Sequence, residues 1–258
     1  MFRHEGPSRD PRKSAVLAGY LAFVAGFVNS GGFVLIHSFT SHVTGSVGRL
    51  AHDAAHGDVA AAVSAASLVL IFFAGAFSAS LLIEGNAQGR VAEAYGYALL
   101  AEAALLAVFI VVAGLSPEAH PRVRDAQAAI LCFALGMQNS LVTRLSGAVI
   151  RTTHLTGVVT DLGIEAARWY RWHRAKLAVV PALLPGREPP VRPTATRSLL
   201  LGVIVIAFVV GALLGAILTE HASRWAMAIP SLLISLASGF AFSQRNARPS
   251  LPPTSRDA

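Results

Sequence analysis

The chain has 258 residues, 54% hydrophobic and 14% charged, with a formal net charge of +7 and a mean hydropathy of +0.57. A soluble domain carries nearer ~25% charged residues, and the apolar residues here fall into runs of about twenty, enough to cross the hydrocarbon core as helices. That composition excludes a soluble globular protein, and the basic residues, placed beside apolar runs, point to anionic lipid headgroups rather than to nucleic acid.

Residues 1–13 form a polar, basic N-terminal tail. The first apolar segment, 14–36, carries Asn29. Basic residues ahead of an apolar run also describe a signal sequence, but this segment resembles a later one and is expected to stay in the fold. A polar turn follows, "FTSHVTGSVGRL" (39–50), with His42, Thr44 and Gly45. Residues 46–58 then hold Arg49, His52, Asp53, His56 and Asp58, which makes a lipid-facing span costly there. A re-entrant or protein-covered course is the other option.

Segment two, 59–83, and segment three, 92–114, complete a first unit (14–114). Glu102 sits near the middle of segment three, where it must be protonated, paired or next to water. Segment four, 126–150, contains Cys132, Gln138, Asn139 and Arg144. The lone cysteine rules out an intrachain disulfide and reads as a small packing residue. Depth alone makes Arg144 the candidate partner of Glu102, as a structural ion pair or as part of an ion-coupling site.

A second polar turn, "IRTTHLTGVVTDL" (150–162), brings Arg151, Thr153, His154, Thr156 and Gly157. In the loop that follows, "RWYRWHRAK" (168–176) combines headgroup-depth aromatics with basic residues, as an interfacial anchor does. The Pro-rich stretch to residue 197 reads as a stiff spacer. Segments five, 198–219, and six, 225–243, close a second unit (126–243), and 244–258 form a C-terminal tail. Gly211 and Gly215 make a GxxxG seam for close helix packing, and Ser231, Ser235 and Ser238 form a stripe suited to a cavity or to a helix contact.

On six crossings, one membrane face receives 16 Lys and Arg residues and the other four. Both termini are therefore expected to be cytoplasmic in a multi-pass bacterial inner-membrane protein.

The two units look like copies of one another. "AGFVNS" (25–30) pairs with "LGMQNS" (135–140), the His42 turn with the His154 turn, and "GAFSASLLIE" (75–84) with "GALLGAILTE" (211–220), at offsets of 110, 112 and 136. Three matches in one order argue for duplication. Three crossings per half give an inverted repeat, with a pseudo-two-fold axis in the membrane plane. Four crossings per half would give a parallel one.

"GYLAFVAGFVNSGGF" (19–33), "FTSHVTGSVGRLAHDAAHGD" (39–58) and "GMQNSLVTRLSGAVIRTTHLTGVVTDLG" (136–163) together resemble the YoaK-like family of bacterial multi-pass membrane proteins over most of residues 15–243. The resemblance implies an inner-membrane protein and brings no settled activity. Members of that family often have Asp where this chain has Asn29, and Asn where it has Ser46. The first departure weakens any proton-carrying role at position 29.

Asn29, Gln138 and Asn139 read either as interhelical hydrogen-bonding groups or as amides that coordinate a polar solute. The His-x-Thr-Gly turns offer hydroxyls, an imidazole and backbone amides at a helix start placed just after Gly45 or Gly157. Helix capping by Thr44 or Thr156 uses the same geometry. His52 and His56 supply two metal ligands without a third, so no metal is expected, and neither is another cofactor. No zinc-protease helix, P-loop, nucleophile elbow or dinucleotide glycine run occurs, which disfavours an enzyme.

The expected fold is an all-α membrane bundle of six main helices in two three-helix halves, with polar turns after helices 1 and 4. The expected function is transport or permeation of a small polar solute between the halves. The alternative is a non-transporting protein that binds lipid or a partner through its basic loop.

Overall fold

The computed structural model describes residues 11–86, 91–115, 121–145, 155–177 and 191–244. Eight α-helices account for most of them: α1 (Pro11–Ile36), α2 (Val43–Ala55), α3 (Val59–Asn86), α4 (Val91–Val112), α5 (Pro121–Leu145), α6 (Leu155–Leu177), α7 (Ala195–Ala222) and α8 (Ala228–Ser243). A short 3-10 helix, Ser223–Met227, joins the last two. No strand occurs among the described residues.

Five stretches are long and apolar enough to cross a membrane: Ala15–Ile36, Val59–Gly85, Val91–Val112, Val123–Arg144 and the continuous Ala195–Ser243. Large apolar side chains such as Leu70, Phe73, Phe77, Leu213, Ile217, Leu232 and Leu236 face outward. In water that surface would be untenable; in lipid it is the outer wall of the bundle. The fifth stretch, 49 residues, holds both α7 and α8. It reverses at Ser223, whose φ of 52° breaks the helix, because α8 runs back along α1, placing Met227 at Gly31 and Leu233 at Tyr20.

Glycines set the closest helix contacts. On α1, Gly19, Gly26 and Gly31 face successive positions of α7, from Val203 through Phe208 to Thr219, so α1 and α7 are parallel. Gly211 and Gly215 lie against the carbonyls of Phe23 and Phe27, and Gly75 and Gly136 bring α3 against α5 in the same way. Without a Cβ the backbones approach closely, which replaces the missing hydrophobic drive inside lipid with van der Waals contact. Further along, Ser80 meets Ser140 and Glu84 meets Arg144, so α3 and α5 are also parallel.

α5 runs antiparallel to α1, with Gln138 reaching the Leu21 carbonyl and Leu131 packed at Gly32. α4 and α8 are antiparallel too, joined by Ser231 to the Ala103 carbonyl and Ser238 to the Gly96 carbonyl, at 3.0 and 2.8 Å. The serine stripe of segment six is therefore a helix contact. The core centres on α5, which packs against both α1 and α4, and includes Leu21, Tyr95, Leu99, Phe109, Leu131 and Leu135.

Two expectations change. The segment expected from 126 begins at Pro121, since a proline at the first helical position leaves no unmet N–H there, and it is described to Leu145, with 146–150 outside the described residues. The helices expected to start just after Gly45 and Gly157 are already helical at Val43 and Leu155, and α6 takes in the whole of 168–176, expected as part of a loop. Their polar faces lower the mean hydropathy below that of a membrane span, which hid their extent. Residues 1–10, most of the Pro-rich stretch and the tail beyond 244 lie outside the described residues.

Candidate functional site

After α1 the chain doubles back. His37 adopts a left-handed φ of 54°, a conformation in which histidine is enriched among non-glycine residues. The return then drops along α1 until the Ser41 hydroxyl donates to Asn29 Oδ1 at 2.8 Å. Asn29 lies seven residues before the end of α1, about 10 Å at 1.5 Å per residue. Beside it, the Cys132 thiol on α5 donates to the Thr40 carbonyl at 3.0 Å. α2 therefore follows a buried return, Thr40–Ser41, at the level of Asn29, has no buried residue of its own, and turns at Gly57 (φ 77°) into α3.

The first turn of α2 opens onto a cavity of about 650 Å³. Ser41, His42, Val43, Thr44 and Gly45 form one wall, and Phe72, Ala76 and Ser80 of α3 form a second. Asn139, Ser140, Thr143 and Arg144 of α5 form a third, and Leu155 and Thr156, the first turn of α6, close the last. α2 runs back against α3, and α6 against α7. Because α3 and α7 point in opposite directions, α2 (13 residues) and the longer α6 (23 residues) reach this cavity N-terminus first from opposite sides.

A helix N-terminus leaves unbonded N–H groups and a partial positive charge. The cap position of α2 is His42, which makes no side-chain capping bond. The helices begin at Val43 and Leu155, so Thr44–Gly45 and Thr156–Gly157 lie within first turns rather than ahead of them. Neither threonine is an N-cap, because the chain has already turned helical one residue earlier. Gly157 is described but does not line the cavity.

His42 is held from behind. Its ring stacks on Phe39 at 4.7 Å, and Phe39 stacks on Phe33 at 4.3 Å. At the opposite end of the cavity Arg144, in the last turn of α5, pairs with Glu84 in the last turn of α3. The Ser80 and Ser140 hydroxyls hydrogen-bond at 2.8 Å between them.

Other expected residues fall elsewhere. Asn29 is 4% exposed and occupied by Ser41; Gln138 is fully buried and directs its amide to the Leu21 carbonyl at 3.4 Å. Both hold helices together and neither lines the cavity. Arg144 does not pair with Glu102. With α5 ending at Leu145, Arg144 sits at a helix terminus, while Glu102 is mid-helix on α4, buried, its Oε2 without a partner among the described residues. Arg151, Thr153 and His154 lie outside the described residues. His52 and His56 stack at the far end of α2, where the His56 ring contacts the His52 carbonyl at 2.8 Å.

Ser80, Ser140 and Thr143 were missed as cavity residues. Their signal was present, as hydroxyls near the ends of otherwise apolar runs two segments apart.

A family model described as "Protein of unknown function (DUF1275)" matches residues 17–240. The chain belongs to this family. A relative, the UPF0700 transmembrane protein RA0705 of Rhizobium meliloti (strain 1021), is 26% identical over 234 residues, covering 90% of this chain and 88% of its own. No solved structure matches. The family assignment agrees with the resemblance read from the paired His-x-Thr-Gly turns, and makes this an uncharacterised integral membrane protein.

Proposed function

We propose that the protein carries a small polar solute across the membrane through the cavity between α2, α3, α5 and α6. The observation that supports this is the meeting of the first turns of α2 and α6, N-terminus first, at one open polar cavity in an otherwise apolar bundle. Irregular backbone at membrane depth is tolerated where it is covered by protein or lines a wet cavity. Helix N-termini aimed at a site between two repeats are a recurring transporter device.

The reading includes six crossings, α1, α3, α4, α5, α7 and α8, in two inverted halves. Its support is a set of exchanged contacts. A Cβ on Gly26 would overlap the Phe208 carbonyl, and one on Gly136 the Phe72 carbonyl; Gly75 likewise meets Phe133 and Gly211 meets Phe23. Adding 110 to α1 positions and 136 to α3 positions turns each contact into its mate (26 to 136, 23 to 133, 72 to 208, 75 to 211). The equivalent helices α1 and α5 are antiparallel, as an in-plane axis requires.

With the basic side in the cytoplasm, both termini are cytoplasmic, and the cavity lies toward the cytoplasmic ends of α3 and α5. The matching positions on the α1–α7 side are less polar: Phe33 for Thr143, Val34 for Arg144, Ala216 for Ser80. The two halves thus differ in polarity, and the state described is inward-facing.

The test is solute-driven swelling of proteoliposomes with a panel of small polar solutes, neutral and anionic. Wild type is expected to pass at least one member, and Thr44→Trp or Ser140→Trp, which fill the cavity, to stop it. Flux unchanged in both folded variants overturns the assignment of the cavity.

A further inference from the structure

A second cavity, of about 400 Å³, lies away from the first, where the later turns of α6 meet the entry to α7. Its walls carry Arg168 and Arg171 from α6 and Arg192 and Arg197 from the chain entering α7, with one carboxylate, Glu165. Glu165 is already engaged, 2.7 Å from Arg168 and 3.7 Å from Arg197, and Arg197 also lies 3.3 Å from Asp161. Arg171 and Arg192 have no carboxylate partner among the described residues. Among the described residues, two guanidinium groups thus share one concavity without a carboxylate counter-ion.

The arrangement is fixed rather than incidental. Arg192 lies over the Trp172 ring at 5.5 Å, and the Trp169 indole donates to Ser198 at 3.2 Å, tying α6 to α7. Thr194 and Pro193 line the cavity, and Thr194, the cap of α7, makes no side-chain capping bond. The Arg197 N–H bonds the Thr194 carbonyl at 3.2 Å, which leaves the N–H groups of Ala195 and Thr196 without a capping side chain beside the arginines. Planar guanidinium forks and uncapped amides together are the chemistry that recognises phosphate.

We propose that this cavity binds the phosphate of an anionic phospholipid. A lipid is preferred to a free phosphate because of what borders the site. Trp169, Tyr170 and Trp172 are residues of the headgroup belt. The site also lies at the start of the membrane-capable stretch Ala195–Ser243, where a headgroup meets the chain as it enters lipid. The proposal does not depend on transport.

The experiment uses the full chain, delipidated in neutral detergent, with lipid binding followed by native mass spectrometry. Phosphatidylglycerol is expected to be retained over phosphatidylcholine by wild type. Arg171→Gln/Arg192→Gln is expected to lose that preference on the order of tenfold, at about the attraction per basic residue seen near anionic surfaces. Neither arginine neutralises a buried carboxylate, so the melting temperature should hold; Arg171→Lys/Arg192→Lys, which keeps the charge, should recover part of the binding. Equal retention of the two lipids by wild type, or a preference undiminished in the Gln variant, overturns the proposal. Displacement of the lipid by millimolar inorganic phosphate, dependent on the same two arginines, overturns the lipid assignment in favour of a soluble phosphate.

Discussion

Ser41 and Asn29, twelve residues apart, are joined by a hydrogen bond of 2.8 Å that brings the chain beyond α1 back to mid-helix level. Both side chains are buried, so removing one partner strands the other away from water. Ser41→Ala is expected to cost about 1–3 kcal/mol of stability, the range for a buried group left unsatisfied. Asn29→Leu removes the acceptor and also crowds the site, and should cost at least as much. Thermal unfolding in detergent checks both, and an unshifted midpoint in either would mean that the return segment is held by something else.

The paired glycines make a sharper prediction. Gly26→Ala and Gly136→Ala each push a methyl group into a facing backbone carbonyl, which cannot rotate away as a side chain can. Each should destabilise by roughly 1–3 kcal/mol, the usual cost of overpacking. Similar losses at the two sites would favour the exchanged halves. Gly202, on α7 with nothing within 4 Å, is the control: Gly202→Ala should be neutral or gain up to ~1 kcal/mol from helix propensity.

Those glycines also show what the sequence carries openly. Small residues in otherwise large apolar runs mark where backbones must touch, and Gly26, Gly75, Gly136 and Gly211 are all contact points. The apolar helices were legible because lipid demands ~20 residues of one character. The return of the chain at His37 was not, because it depends on a single left-handed residue and one hydrogen bond. Arg144 shows a second limit. Its partner depends on its depth, and with α5 starting at Pro121 rather than near 126 Arg144 meets Glu84 of α3 instead of Glu102.

Sidedness follows from the proposed topology. In a Cys132→Ala background, a cysteine at Ser140 should react with an impermeant thiol reagent in inverted vesicles and resist it in intact cells. A cysteine at Phe33, the equivalent position to Thr143 in the other half, should behave the other way round. Reaction of both from one face would sink the inverted arrangement, since α1 and α5 would then open to the same side.

The Arg144–Glu84 pair should matter little for stability. Glu84 is 63% exposed and Arg144 28% exposed, and a pair so open to its surroundings is typically worth ~0–1 kcal/mol. Arg144→Gln is therefore expected to shift the unfolding midpoint slightly while cutting flux of an anionic solute, if the arginine acts at the cavity mouth. A large loss of stability with unchanged flux would make it a structural tie.

Glu102 offers the opposite separation. Its side chain is buried among apolar residues of α4, with Oε2 unsatisfied among the described residues. Replacing an unsatisfied buried polar group with an apolar one of similar shape is near neutral or stabilising, because the desolvation cost disappears. Glu102→Met should therefore leave the unfolding midpoint unchanged or raise it. If Glu102 moves a coupling ion, the same variant loses solute accumulation driven by a proton gradient and keeps its fold. Stability that falls would show that the carboxyl group supports the packing of α4, and accumulation that survives would remove it from the transport cycle.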